Sequence, residues 1–142
     1  MNIPKEYIKM CEKAIEIRKS HVLKNGDYLI WLASSQERVL IYGCDIYYTI
    51  PNSQWDKYIW LPRQDQLQKL IIPFKLPKNC ESLGEDCHNL AYHFGLFILN
   101  KWDYCIKFKS MEQLWLAFVM WRKYRKKWNK GNWIKIEEGG EW

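Results

Sequence analysis

The sequence predicts an α+β fold: one domain over residues 1–142 in which an antiparallel β-meander packs against an N-terminal and a C-terminal helix. Three observations predict it. Apolar positions recur at helical spacing over residues 4–19, give way to four short β-branched and aromatic stretches between Asp27 and Leu61, and return to helical spacing from Gln64 onward. A chain of 142 residues has the commonest domain size and can bury about two thirds of its unfolded surface around one core. Aromatic residues make up 16% of it and apolar residues 48%, the reverse of a disordered composition.

Each element has its own warrant. Pro4 suits a first helical turn, and Tyr7, Ile8, Cys11, Ala14, Ile15 and Arg18 follow at helical spacing with Lys and Glu between them. Asn25-Gly26-Asp27 breaks the chain before DYLIWL, VLIYG, DIYYTI and KYIWL, four candidate strands separated by SSQE, Gly43 and PNSQ. A meander is their simplest pairing. Pro62 ends the fourth strand. A short helix follows, opened by Asp65, with Leu67, Leu70 and Ile71 on one side, and Pro73 is expected to stop it. PFKLPKNCESLG reads as a loop, and Glu85 to Asn100 as a helix despite Gly95, with Leu90, Phe94, Phe97 and Ile98 as its apolar set.

Ser110-Met-Glu-Gln113 matches a capping box, so the last helix opens there. Projected at about 100° per residue, Leu114, Ala117, Phe118, Trp121, Tyr124 and Trp128 share a face, while Trp115, Leu116, Val119 and Met120 lie off it. The first half of this helix is therefore expected to be buried all round, and the second half, WRKYRKKW, to keep one apolar stripe and turn its cations to solvent. Arg125 falls within the stripe and reads as structural. Asn129 to Asn132 ends the helix, NWIKI follows as a final strand, and the acidic tail at 137–142 is expected to fray.

Charge narrows the partners. The net charge is +6, and the excess is local: Arg122, Lys123, Arg125, Lys126, Lys127 and Lys130 fall within nine positions that hold no carboxylate. Acidic residues gather elsewhere, at Glu81, Glu85 and Asp86 and again at Glu137, Glu138 and Glu141. Such a basic helix end attracts an acidic protein surface or nucleic acid, and the charge does not choose between them. The candidate binding residues are Arg122, Lys123, Lys126, Lys127 and Lys130, with Trp128 and Trp133 as stacking rings. Stacking on an exposed ring is worth about 1–3 kcal/mol per base. Trp121, Tyr124 and Trp128 sit on the core stripe, however, so a solvated cationic face is the plainer reading.

Other chemistries find little purchase. Cys80, Cys87, His88, His93 and Cys105 lack the close CxxC pair that makes a zinc site convincing, and neighbours in a helix diverge, so no metal and no cofactor is expected. Five cysteines, with Cys11 and Cys44 completing the set, are an odd number and fit reduced thiols, mostly small core residues. No GxGxxG, Walker A, HExxH or GxSxG pattern occurs, and nothing nominates a catalyst. No run approaches the ~20 apolar residues that span a bilayer, and MNIPKEYIKMCEK carries charges where a secretory signal is apolar; a cytoplasmic protein without membrane contact is expected.

Two stretches, WLPRQDQLQKLI and SMEQLWLAFVMWRKYRKKWNKGNW, with GDYLIWL before them, resemble segments of small uncharacterised proteins encoded by bacteriophages and prophages of Gram-positive bacteria. Trp60, Leu61, Pro62, Gln64, Asp65, Gln66 and Leu67 carry the resemblance, together with Ser110, Glu112, Gln113, Leu114, Trp115 and Leu116. It covers about a third of the chain. In that group the final helix mixes acidic with basic residues, whereas here it is almost purely basic. The resemblance implies an accessory protein of a mobile element, working in the host cytoplasm as a non-enzymatic binding module, with inhibition of a host defence factor as the expected role. Nucleic-acid binding through the basic helix and sequestration of a small ligand such as a nucleotide are the alternatives. Surplus aromatic residues also suit a homodimer.

Overall fold

The computed structural model describes residues 3–33, 38–75 and 83–136, the side chains at 72–75 and 83–86 excepted. The expected acidic tail at 137–142, the SSQE stretch, and Cys80 and Glu81 of the expected loop lie outside the described residues. The chain is α+β and forms two compact units: Met1–Pro62 with Lys130–Trp133, and Arg63–Asn129 with Ile134–Trp142.

In the first unit, α1 (Lys5–Lys13) and α2 (Ile15–Ser20) precede the strands β1 (Tyr28–Trp31), β2 (Leu40–Ile41) and β3 (Tyr58–Leu61). The sheet is antiparallel but its order is β2-β1-β3, not the sequential order of a meander. The expected strand DIYYTI does not form: Asp45 closes a turn begun at Gly43, Ile46 makes a single bridge to Tyr42, and the residues up to Ile50 are irregular. Gly43 adopts φ +91°, the Asp45 carboxylate accepts the Ile41 amide at 2.8 Å, and the chain reverses directly after β2. Tyr47 is left 85% exposed. β1 then pairs along its whole length with β3, from Tyr28↔Leu61 to Trp31↔Tyr58. All four β3 residues are buried, as suits an uninterrupted apolar run.

The N-terminal helix covers this sheet as expected, with Tyr7, Met10 and Cys11 buried and α1 packed on β3. The Tyr7 hydroxyl donates to the Pro62 carbonyl. A break at Ala14 (φ −82°, ψ 68°) starts α2, whose Arg18 is buried and donates to the carbonyls of Glu12 and Tyr58, at 2.8 and 2.7 Å, and of Trp55. Asp27, also buried, accepts the Lys24 amide and lies 2.7 Å from His21 Nε2, while the His21 ring stacks on Trp60.

The second unit holds α3 (Gln64–Lys75), α4 (Leu83–Asn100), α5 (Trp102–Cys105), α6 (Met111–Tyr124) and β4 (Lys126–Asn129), the last forming a two-stranded sheet with β5 (Asn132–Lys135). α3 runs through Pro73, where a stop was expected; a proline in the final turn removes only one intrahelical bond. Its opening amide, Arg63 N–H, donates to Gln66 Oε1 at 2.9 Å, so Gln66 takes a capping role, and Asp65 pairs with the Arg63 side chain. The core is aromatic: Phe94 stacks on Trp115 at 3.8 Å, and Phe118 meets Phe94, Phe97 and Trp115.

The capping box at Ser110 is present, with Gln113 N–H donating to Ser110 Oγ at 3.1 Å and Gln113 Oε1 accepting the Lys109 amide. From Trp115 through Trp121 every residue of α6 is buried, the all-round burial that the sequence implied. The helix does not, by contrast, run on through the basic cluster beyond Arg122 and Lys123. α6 stops at Tyr124, Arg125 turns left-handed (φ 56°, ψ 47°) with its amide on the Met120 and Trp121 carbonyls, and β4 begins. Lys130 and Gly131 both take positive φ, the geometry of a two-residue hairpin turn, and the Arg125 carbonyl accepts the Ile136 amide. Hairpin pairing thus overrides the helical spacing of Tyr124 and Trp128.

Gly95 sits inside α4, and nothing lies within 4 Å of the place a Cβ would take there. Gly95→Ala is expected to stabilise the protein by about 0.5–1 kcal/mol, because alanine restricts the unfolded chain and meets no clash. Urea denaturation checks this, and an unchanged or lower midpoint would count against an unobstructed helical glycine.

Candidate anion-binding cleft

The segment Lys101-Trp-Asp-Tyr-Cys-Ile-Lys107 leaves the end of α4, forms the single turn of α5 and faces β4 across a cleft of about 530 Å³, all within the second unit. Tyr104 and Trp121, whose ring centroids lie 5.3 Å apart, belong to both the core and the cleft wall. Tyr104 fixes the opposite wall: its hydroxyl accepts the backbone amide of Trp128 at 2.7 Å, and burial pushes its acidity well below that of a free phenol. The phenol therefore stays neutral and holds β4 in place across the physiological range.

Three cations line the cleft, Lys101, Lys107 and Lys127, against one carboxylate, Asp103, among the described residues. Lys101 Nζ lies 5.3 Å from the centroid of the Trp121 ring, an arrangement that holds an ammonium group at an aromatic face. Asn100 and Asn129 add amides. The outer edge is apolar and open. Its lining residues Leu99 and Trp102 are 70% and 57% exposed. Three lysines beside one exposed ring and one exposed aliphatic chain can hold an anionic ligand that also has apolar surface.

The residues singled out from sequence divide. Lys127 and Trp128 line the cleft, and both are half-buried. Lys126, the first residue of β4 after the left-handed Arg125, is not among the lining residues, and with the helix ended at Tyr124 the two lysines no longer share a helical face. Arg122 and Lys123 stand in the last turn of α6, where cations complement the helix dipole. Burial lowers the proton affinity of both, with Arg125 adding to the effect at Arg122. Lys123 Nζ lies against the Tyr124 ring. These two are packed side chains rather than a solvated face. Arg125 is structural through its backbone, as a helix cap, with its side chain exposed. In the first unit, Lys130 is exposed at the hairpin turn, and Trp133 is half-buried with its indole N–H donating to the Met10 carbonyl at 3.0 Å, which occupies it structurally.

Sequence reasoning missed Lys101, Trp102 and Lys107. The signal was there: KWDYCIKFK interleaves cations with rings just as WRKYRKKW does, but it falls between two helices and carries no charge run.

Of the cysteines, Cys11 and Cys105 are buried, and Cys44 and Cys87 are exposed. Burial pushes the Cys105 thiol up to about 11, and the Cys11 thiol higher still. At pH 8, iodoacetamide is expected to modify Cys44 and Cys87 and to spare Cys11 and Cys105 until the protein unfolds, as read by peptide mass mapping. Because an unfolded thiol ionises at about 8.5 and the buried ones do not, their contribution to stability is full below that pH and is lost as pH rises through the folded value. His88 is exposed beside Cys87, and His93 is half-buried, its protonation disfavoured by burial and then by Arg122. No described helix is long and apolar enough to cross a membrane.

No protein-family model, curated protein or solved structure matches this chain, so the cleft is interpreted from its own residues.

Proposed function

We propose that the protein is a non-enzymatic binding module that docks an acidic surface of a partner protein against the cleft between α5 and β4. One observation carries this reading: Leu99 and Trp102 are exposed beside Lys101, Lys107 and Lys127. Phosphate backbones need the cations but have no use for an aliphatic border, whereas protein interfaces combine both. The resemblance to phage and prophage proteins supports a setting in a bacterial host's cytoplasm, with inhibition of a host defence factor as the role. A second reading, single-stranded nucleic acid, has its own support in Trp102, an exposed ring among three lysines.

Affinity capture from a bacterial lysate tests the proposal, comparing wild type with Lys101→Glu/Lys107→Glu/Lys127→Glu. An acidic protein at stoichiometric yield, lost in the variant, is expected. Recovery of no macromolecule, with a nucleotide or metabolite released on denaturation, would replace the proposal with a small-ligand sponge. Light scattering on the purified protein reads out a homodimer, the other use of exposed apolar surface.

A further inference from the structure

We infer that the occupant of the cleft is an acidic amphipathic segment, one whose apolar side chains rest on Leu99 and Trp102 while its carboxylates meet Lys101, Lys107 and Lys127. The inference rests on the acidic-partner reading and names the form of that partner. Its first support is proximity in the chain: two exposed apolar lining residues and two of the cations lie within the nine residues Leu99 to Lys107, so one short ligand element can meet both sets. A cleft of about 530 Å³ accepts a few side chains and not a folded domain. Its second support is rigidity. The floor consists of core rings, Tyr104 and Trp121, and the far wall is pinned by the hydrogen bond from Trp128 to Tyr104, so a ligand meets a preformed surface and little ordering is required of the protein. The third is charge. Against three lysines the lining presents one carboxylate among the described residues, which sets a second copy of this cleft at a disadvantage and favours carboxylates.

A purely acidic chain would satisfy the lysines and leave the apolar border wet, and solvent-exposed ion pairs are individually weak and screened by salt. Covering Trp102 and Leu99 should therefore dominate affinity. The side chains sit at a helix end and on a single helical turn, exposed, so replacing them leaves the core intact.

The test uses the full chain and three probes of about a dozen residues, long enough for a marginal helix: a peptide with Leu and Phe on one helical face and Glu on the other, oligo-glutamate, and oligothymidylate. Fluorescence anisotropy at physiological salt should show the amphipathic peptide binding about tenfold or more tighter than oligo-glutamate. Trp102→Ala and Leu99→Ser should each cost the amphipathic peptide far more than oligo-glutamate, removing most of that advantage, and Lys107→Glu/Lys127→Glu should weaken both peptides. Equal binding of the two peptides would overturn the amphipathic inference and leave the acidic-partner proposal standing. Tighter binding of oligothymidylate than of either peptide, or no binding by any probe, would overturn both.

Discussion

Phe118→Ala is expected to destabilise the protein by about 3–5 kcal/mol, the range for emptying a buried phenylalanine site. Phe118 has no exposed surface and meets Phe94, Phe97 and Trp115 at centroid distances of 5.2 to 5.8 Å, so its removal opens a void among large, flat side chains that cannot close on it. The shape of the transition is as informative as its midpoint. In a single cooperative domain the whole unfolding curve shifts; if the two compact units unfold separately, only the transition of the second moves. Circular dichroism and tryptophan fluorescence, followed together in urea, distinguish these.

Arg18→Met is expected to cost about 3 kcal/mol by a different route. Methionine replaces the apolar stem, so packing is largely kept, but the carbonyls of Glu12, Trp55 and Tyr58 lose their donor. A buried acceptor left unpaired costs about 1–3 kcal/mol, and donors from charged groups lie at the upper end. The arginine also rests over the Trp55 ring, 5.2 Å from its centroid, which ties the turn before β3 to α2. Arg18→Lys should recover little, because one ammonium cannot reach carbonyls set out for a planar fork. A loss under about 1 kcal/mol in urea for Arg18→Met would mean that water replaces the guanidinium and that this arginine is not a structural clasp.

Much of this architecture was legible in the chain. The capping box at Ser110, the all-round burial of Trp115 to Trp121 and the strands at Tyr28 and Tyr58 follow from side-chain type and spacing alone. What spacing could not reveal was pairing. Trp121, Tyr124 and Trp128 keep helical spacing, yet Arg125 caps the helix in a left-handed conformation, because Lys126 to Asn129 finds a strand partner beyond Lys130-Gly131. Likewise DIYYTI has strong strand propensity, but the Asp45 side chain takes the Ile41 amide in a turn, and beyond a single bridge at Ile46 no strand forms. The cleft was half visible for the same reason. Lys127 and Trp128 stood out in a charge run, whereas Lys101, Trp102 and Lys107 join them only once β4 is tied to Tyr104.

The most direct test of the account is therefore one of location. Titrating the amphipathic glutamate-rich peptide into ¹⁵N-labelled protein should shift the backbone amides of residues 99–107 and 127–129 and the indole N–H of Trp102, with the amides around Tyr47 and Tyr48 unmoved. Shifts concentrated at Tyr47 and Tyr48, or anywhere that leaves Trp102 unchanged, would contradict it.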